Sequence, residues 1–288
     1  MSINEIGFKQ SGREWAKFLL FLQYQLREDN LFSFESFDIK LDTEFIGRNF
    51  VFSEEADSTN SALLDKLNKY TINGTVFFTE KQLKGRGRKN RHWYSAKELN
   101  LLFSILLSNK KYITENPVLL NFAASLAVGN ALENLYQLKV ELKWPNDVLI
   151  NGKKLCGILI ESTSEGNKIE RLVIGLGINV NQTMFQGSYS IPPTSVRLEI
   201  NENADRERLL AEVLNNFEAL LLVLIESPEN ILKDWKQRCN MIGDKISITE
   251  GEEVKYGIFE DVDENGFLLL KDNNGRIEKI HYGDVSLR

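Results

Sequence analysis

The sequence predicts an α+β chain that closes in a small β-barrel. Two observations carry that expectation. Between residues 50 and 238, short β-branched and aromatic runs are interleaved with two long stretches of helical apolar spacing. After Cys239 the pattern changes to short strand-like runs set apart by turn compositions. The 288 residues suffice for one large domain and one small one. Hydrophobic content of 42% and charged content of 26% are ordinary for a globular protein.

Taken in order, residues 1–43 form an extension. Trp15, Phe18, Leu19, Leu22 and Leu26 recur there at three- and four-residue steps, as on one amphipathic helix. The main domain is expected over residues 44–238. A short apolar strand is predicted at 50–53. Asp57, Ser58, Thr59 and Asn60 then offer caps to a helix marked by Leu63, Leu64 and Leu67. Residues 75–79 read as a strand running into Gln82, and 100–107 as another. A long buried helix is predicted over 117–138, with Phe122, Leu126, Leu132 and Leu135 among its apolar residues. The strand at 140–143 stops at Trp144-Pro145, because proline cannot donate to a ladder. Asn151-Gly152 is a hairpin signal joining 148–150 to 154–161. Residues 172–180 are apolar, and Leu209, Leu210, Val213, Leu214, Phe217, Leu220, Leu221 and Leu224 mark a second long helix. A shorter one is predicted at 229–238. The last domain, 239–288, should carry strands near 245–249, 255–261, 267–271 and 276–280.

Composition narrows the function. A sequence pI near 5.3 argues against a dedicated nucleic-acid binder. Two cysteines, Cys156 and Cys239, make no disulfide framework and suit a reducing cytoplasm. His92 and His281 show no zinc-ligand spacing. The longest apolar run, Ala219 to Ile225, is far short of the ~20 residues a membrane span needs.

Against the net charge of −6, one stretch is strongly basic: Gly85-Arg86-Gly87-Arg88-Lys89-Asn90-Arg91-His92-Trp93. From Lys81 to Arg91 there are cations at 81, 84, 86, 88, 89 and 91 and no acid. Glycine lets backbone N–H groups approach an anion, and arginine offers a planar fork suited to phosphate and carboxylate. The loop looks built to close over a small anionic ligand. Taken alone, such a run also fits solvated surface, nucleic-acid contact or a targeting signal.

A second stretch narrows the choice: Lys143-Trp144-Pro145-Asn146-Asp147, then Asn151-Gly152-Lys153-Lys154-Leu155-Cys156-Gly157-Ile158-Leu159-Ile160-Glu161. The two stretches, in this order, resemble the GRGRRGRxW and KWPND…KxxGIL(x)E motifs of biotin protein ligases. The resemblance runs from about Gly47 to Arg288. Asn90 stands where the family usually has glycine; asparagine tolerates positive φ well, so the turn is expected to persist.

The resemblance implies a catalytic domain built on a mixed sheet flanked by helices, related to class II aminoacyl-tRNA synthetases. It implies that residues 239–288 form an SH3-like domain. It implies that biotin and ATP react to biotinyl-5′-AMP, and that biotin then passes to a lysine of a biotin carboxyl carrier protein, with Mg²⁺ as cofactor. By motif position, Ser58, Thr59, Asn60 and Gln82 hold the biotin head. Arg86, Gly87 and Arg88 wrap the carboxylate and α-phosphate, and Lys154 bridges the same two groups. Lys154, Arg88 and Arg86 are thus the expected catalytic residues. Arg91 and Trp93 fix the loop around the triphosphate. Asn146, Asp147, Asn179 and Arg288 are candidate ATP contacts, although Asn146-Asp147 also fit a plain turn and Asn179 a strand end. Without ligand, the loop is expected to lack counter-ions and to move.

Two rivals stand beside this reading. A lipoate–protein ligase shares the acyl-adenylate route, but the paired arginine-glycine loop and terminal barrel favour biotin. A biotin-sensing repressor needs a basic winged helix, for which the extension is too short and too mixed in charge. The expectation is therefore a cytoplasmic ligase of the form without a repressor domain, with no DNA or membrane partner. The chain alone leaves its oligomeric state open, a homodimer included.

Overall fold

The computed structural model describes residues 32–287, apart from 69, 114, 115 and 167 and the side chain of Asn90. The helix expected around Trp15–Leu26 and the terminal Arg288 lie outside the described residues.

Helix α1 (Phe34–Asp38) leads into strand β1 (Phe50–Ala56). The intervening backbone is held by one carboxylate: Glu218 accepts from the N–H groups of Phe45 at 3.1 Å and Ile46 at 2.8 Å. Helix α2 (Thr59–Leu64) starts at Ser58, whose side chain accepts from the Ser61 N–H. Strands β2 (Val76–Gln82) and β3 (Leu101–Leu107) follow. Helix α3 (Pro117–Tyr136) has Asn116 as its cap and proline in its first turn. It is long and apolar enough to cross a membrane, yet 67% of that stretch is buried in the fold, as suits a core helix.

Strands β4 (Val140–Lys143) and β5 (Asp147–Ile150) meet across a turn containing a cis Trp144–Pro145 bond. The β5–β6 hairpin (β6, Lys153–Glu165) turns at Asn151 and Gly152, with φ of 52° and 70° as the tight two-residue turn requires. Strand β7 (Lys168–Ile178), short helix α4 (Val196–Ile200) and helices α5 (Arg206–Glu226) and α6 (Pro228–Arg238) complete the domain.

The seven strands run in the order β1-β2-β3-β7-β6-β5-β4. The β1–β2 pair is parallel and the others antiparallel, which gives the expected mixed sheet. Helix α2 lies over β2, β3 and β7, where Leu63, Phe77, Leu106 and Val173 form an apolar cluster. Helix α3 packs on α5 and against β4, β5 and β6.

The terminal domain is a five-stranded antiparallel unit of β8 (Lys245–Glu250), β9 (Glu253–Val262), β10 (Leu268–Lys271), β11 (Ile277–Ile280) and β12 (Asp284–Leu287), in the order β11-β10-β9-β8-β12. Strand β12 extends the four predicted spans. Its Asp-Val-Ser-Leu sequence alternates over only four residues and buries one side chain, Val285, so its pairing with β8 makes it a strand. This unit docks on the main domain: Trp144 Nε1 donates to Gly266 O at 3.0 Å, and Asn116 Nδ2 to Asn265 O at 2.9 Å.

Candidate functional site

A cavity of about 730 Å³ opens where the α2 N-terminus, the basic loop, the β4–β5 turn, residues 185–193 and β12 converge. That volume is ample for a ligand larger than a single amino acid. Its inner end is neutral and polar. Ser58, Thr59 and Asn60 are buried there. Thr59 N donates to Gln82 Oε1 at 2.9 Å, and Ser104 Oγ lies 2.6 Å from both Thr59 Oγ1 and Asn60 Oδ1. Asn60 Nδ2 donates to Glu161 Oε2 at 2.7 Å. Hydroxyls and amides locked in this way present fixed donors and acceptors to an uncharged polar group.

The floor is a strip of small residues on β6 and β7. A Cβ at Gly175 would collide with the Asn60 carboxamide, and one at Gly177 would sit 2.5 Å from the Trp93 ring. The strip therefore lets Asn60 and Trp93 lie directly on the sheet backbone. Lys154 Nζ is 5.7 Å from the centroid of the Trp93 ring, within cation–π range.

The basic loop folds back on itself. Gly87 N donates to Arg91 O at 2.7 Å and Trp93 N to Gly85 O at 2.9 Å. The left-handed residue is Lys89, at φ 54° and ψ 36°. The expectation that the ligand-free loop lacks counter-ions is corrected here, because distant acids fold onto it. Arg86 forms a fork with Glu161, Nη2 lying 3.0 Å from both oxygens, and donates from Nη1 to Ser61 Oγ at 2.7 Å. Asp284 of β12 meets three cations: Arg91 at 2.8 Å, Lys89 at 3.3 Å and Arg88 at 3.8 Å. Burial pushes the Asp284 carboxyl up, but Arg91, Lys89 and Arg88 together hold it below the usual aspartate value.

Lys154 Nζ lies 2.6 Å from Asp147 Oδ1. The angle falls outside hydrogen-bond geometry, so this buried oxygen has no hydrogen-bond donor among the described residues. The Lys154 backbone is pinned on both sides, N–H to Pro192 O at 2.8 Å and C=O from Thr194 N at 2.9 Å. Asn146 Oδ1 accepts from Arg88 at 3.4 Å. Burial pushes the Cys156 thiol up, which makes it an inert core group.

Ser58, Thr59, Asn60, Gln82, Arg86, Gly87, Arg88, Arg91, Trp93, Asn146, Asp147, Lys154 and Asn179 all line this cavity. Asn179 also has a structural task, donating from Nδ2 to Thr194 O at 3.0 Å. Glu161, Asp284, Lys143 and the 185–193 segment carry no role in the sequence reading. Lys143 opens the second quoted stretch and Glu161 closes it, so both were open to notice; Asp284 and the 185–193 segment reach the site only through long-range folding.

The Biotin/lipoate A/B protein ligase family matches residues 52–179, and the Biotin protein ligase C terminal domain matches residues 241–288. The Bifunctional ligase/repressor BirA of Bacillus subtilis is 31% identical over 252 residues, spanning 86% of this chain and 76% of that protein. The Biotin–[acetyl-CoA-carboxylase] ligase of Paracoccus denitrificans is 32% identical over 228 residues, 76% of this chain and 93% of that one. Among solved structures, the biotin protein ligase from Aquifex aeolicus in complex with biotin and ATP superposes with a TM-score of 0.73 at 30% identity. That match covers 84% of this chain and 99% of the Aquifex chain.

Proposed function

Since this chain belongs to the biotin/lipoate A/B protein ligase family, we infer that the cavity beside the basic loop is where it joins biotin to AMP and then to protein. The chain is an ATP-dependent biotin–[acetyl-CoA carboxylase] ligase that works through biotinyl-5′-AMP. The match of residues 241–288 to the terminal domain of biotin protein ligases favours biotin over lipoate.

The assignment of residues rests on the gradient of polarity along the cavity. The neutral end at Ser58, Thr59, Asn60 and Gln82 suits the uncharged ureido ring of biotin. The cationic end suits an anionic carboxylate and a triphosphate. In the first half-reaction a carboxylate oxygen of biotin attacks the α-phosphorus, and the bond to the pyrophosphate oxygen breaks. Two anions must approach; like charges at ~4 Å repel by about 4 kcal/mol at an effective dielectric of 20. Lys154 and Arg88 offset that repulsion and the charge of the transition state. Arg86, already forked to Glu161, acts more by fixing the wall than by binding phosphate with all its donors. In the second half-reaction the neutral amine of a carrier lysine attacks the acyl carbon, AMP leaves, and the amine proton is released.

Mg²⁺ enters as the complex with ATP. Among the described residues no three His, Cys, Asp or Glu side chains cluster as a metal cage. Asp147 and Asn146 carry the cavity-lining oxygens that would hold the ion, which when bound would offset phosphate charge. The carrier is the biotin-accepting protein of a carboxylase, and the reducing cytoplasm suggested by the unpaired cysteines is the proposed setting.

The observation that carries this reading is the juxtaposition of Lys154, Arg88 and the neutral polar pocket in one cavity. The test is biotin-dependent exchange of pyrophosphate into ATP by the purified protein, followed by label transfer to a carrier domain. Exchange and transfer are expected; folded protein that gives no exchange overturns the assignment.

A further inference from the structure

We propose that Lys143 is a phosphate-binding residue of this site, the cation that holds the pyrophosphate portion of ATP in the first half-reaction. The proposal deepens the ligase reading and rests on it.

Lys143 is the last residue of β4, placed opposite Asp147 in the β4–β5 ladder, and its side chain lines the cavity. Five cations and two carboxylates line that cavity: Arg86, Arg88, Arg91, Lys143 and Lys154 against Asp147 and Asp284. The surplus is three positive charges. Four of the five cations have a carboxylate within 4 Å. Arg86 has Glu161, Arg88 and Arg91 share Asp284, and Lys154 has Asp147. Lys143 has no such ion pair among the described residues. The two acids that act on it electrostatically, Asp147 and Asp284, are already held by the other cations.

Burial is also the chief influence on this ammonium, pushing it below the ordinary lysine value; Asp147 and Asp284 counter that and Lys154 and Arg91 add to it. A half-buried lysine usually directs its head to water or to a partner, since desolvating an unpaired charge is costly. A wall that keeps one toward a cavity is matched to an anion that arrives from outside.

Position decides which anion. Along the sheet order β7-β6-β5-β4, Asn60 lies against Gly175 of β7, Lys154 is on β6, and Lys143 of β4 stands opposite Asp147 of β5. Lys143 therefore lies on the far side of Lys154 from the neutral pocket at Ser58–Asn60. A ligand with its uncharged ring in the neutral pocket and its carboxylate beside Lys154 places its α-phosphate at the middle of the site. The remaining two phosphates then extend toward Lys143 and Arg91. These phosphates carry most of the charge of ATP and leave as pyrophosphate, so a cation here acts on ATP and pyrophosphate but not on biotinyl-AMP.

The test uses Lys143→Met, which keeps length and removes charge, beside Lys143→Arg. Four quantities are measured: KM for ATP in pyrophosphate exchange, inhibition by added pyrophosphate, biotin binding without ATP, and carrier labelling from preformed biotinyl-AMP. For Lys143→Met, KM for ATP and the pyrophosphate inhibition constant should rise roughly tenfold to a hundredfold, the range of one charge-assisted contact. Lys143→Arg should recover most of that loss. Biotin binding and transfer from preformed adenylate should stay within about twofold of wild type. An active Lys143→Met enzyme with unchanged pyrophosphate inhibition overturns the proposal. So does a fall in biotin binding and transfer that matches the loss for ATP, since that marks a structural role. If Lys143→Met does not fold, Lys143→Gln is read against Lys143→Arg in its place. Wild-type protein without exchange would instead overturn the ligase reading itself.

Discussion

Lys154 is where the reaction converges, and its surroundings explain why a single substitution there should stop it. Its ammonium is held between Asp147 and the Trp93 ring, while its backbone is fixed by Pro192 and Thr194. The side chain contributes charge rather than packing, so Lys154→Ala should fold normally. Adenylate formation should slow by about 2.7–4 kcal/mol of barrier, the scale of a lost oxyanion donor. Near wild-type exchange by a folded Lys154→Ala protein would remove the residue from the mechanism. Arg88→Gly should act differently, leaving synthesis slower and the intermediate poorly held. One charge-assisted contact is worth about 1.5–3 kcal/mol, so biotinyl-AMP should escape roughly tenfold to a hundredfold faster. An avidin blot should then show biotin on a bystander such as albumin; labelling confined to the carrier lysine would show that Arg88 does not retain the intermediate. Both residues stood out in the sequence because their motifs are local. The counter-ion of Lys154, Asp147, lies in the same quoted stretch; that of Arg88 did not stand out, because Asp284, which it shares with Arg91, lies 193 residues from Arg91. No periodicity reports a pairing at that range.

At the level of elements, the basic loop and β12 form one clamp. A single carboxylate, Asp284, meets Arg88, Lys89 and Arg91, which would otherwise repel one another in a short turn. Asp284→Asn should therefore lower the Tm and speed tryptic cleavage within residues 86–91. The pH dependence follows from the depressed Asp284 carboxyl. Its folded pKa lies below its unfolded value of about 3.9, so the stabilisation is complete above that value. It is lost as the pH falls through the lower folded value. The Tm gap between wild type and Asp284→Asn should thus be constant from about pH 7 to pH 5 and close in stronger acid. A gap that widens in acid would contradict the ion-pair account. Long elements such as α3 and α5 were legible from their apolar spacing. Helix α1 and helix α4 were not, because five residues are too few for a pattern; burial of Phe37 and Val196 sets them instead. The Asn151-Gly152 hairpin was legible because its chemistry is local to the turn.

Over the whole molecule, the α+β class and the terminal antiparallel unit followed from where strand-like and helix-like runs fall. The way the two parts meet did not, since it depends on a backbone surface. Gly266 shows this. It adopts φ of +80°, its carbonyl accepts from Trp144, and a Cβ there would come within 2.8 Å of Val118 Cγ1 and 3.1 Å of Phe122 Cε2. Gly275 has the same φ of +80° in the turn between β10 and β11, with nothing within 4 Å of a Cβ. The two glycines form a controlled pair. Alanine at either must adopt a left-handed backbone, at a cost of about 1–2 kcal/mol. Only Gly266→Ala also pushes the terminal unit off α3, adding an overpacking cost of about 1–3 kcal/mol. At roughly 2–4 °C of Tm per kcal/mol for a chain of this size, Gly266→Ala should melt several degrees below Gly275→Ala. Moving that unit also draws Asp284 away from the loop. Gly266→Ala should therefore lose pyrophosphate exchange while Gly275→Ala keeps it, and both should still bind biotin at the neutral end. Equal melting temperatures and equal exchange in the two variants would show that the docking of the terminal unit at Gly266 controls neither stability nor the loop.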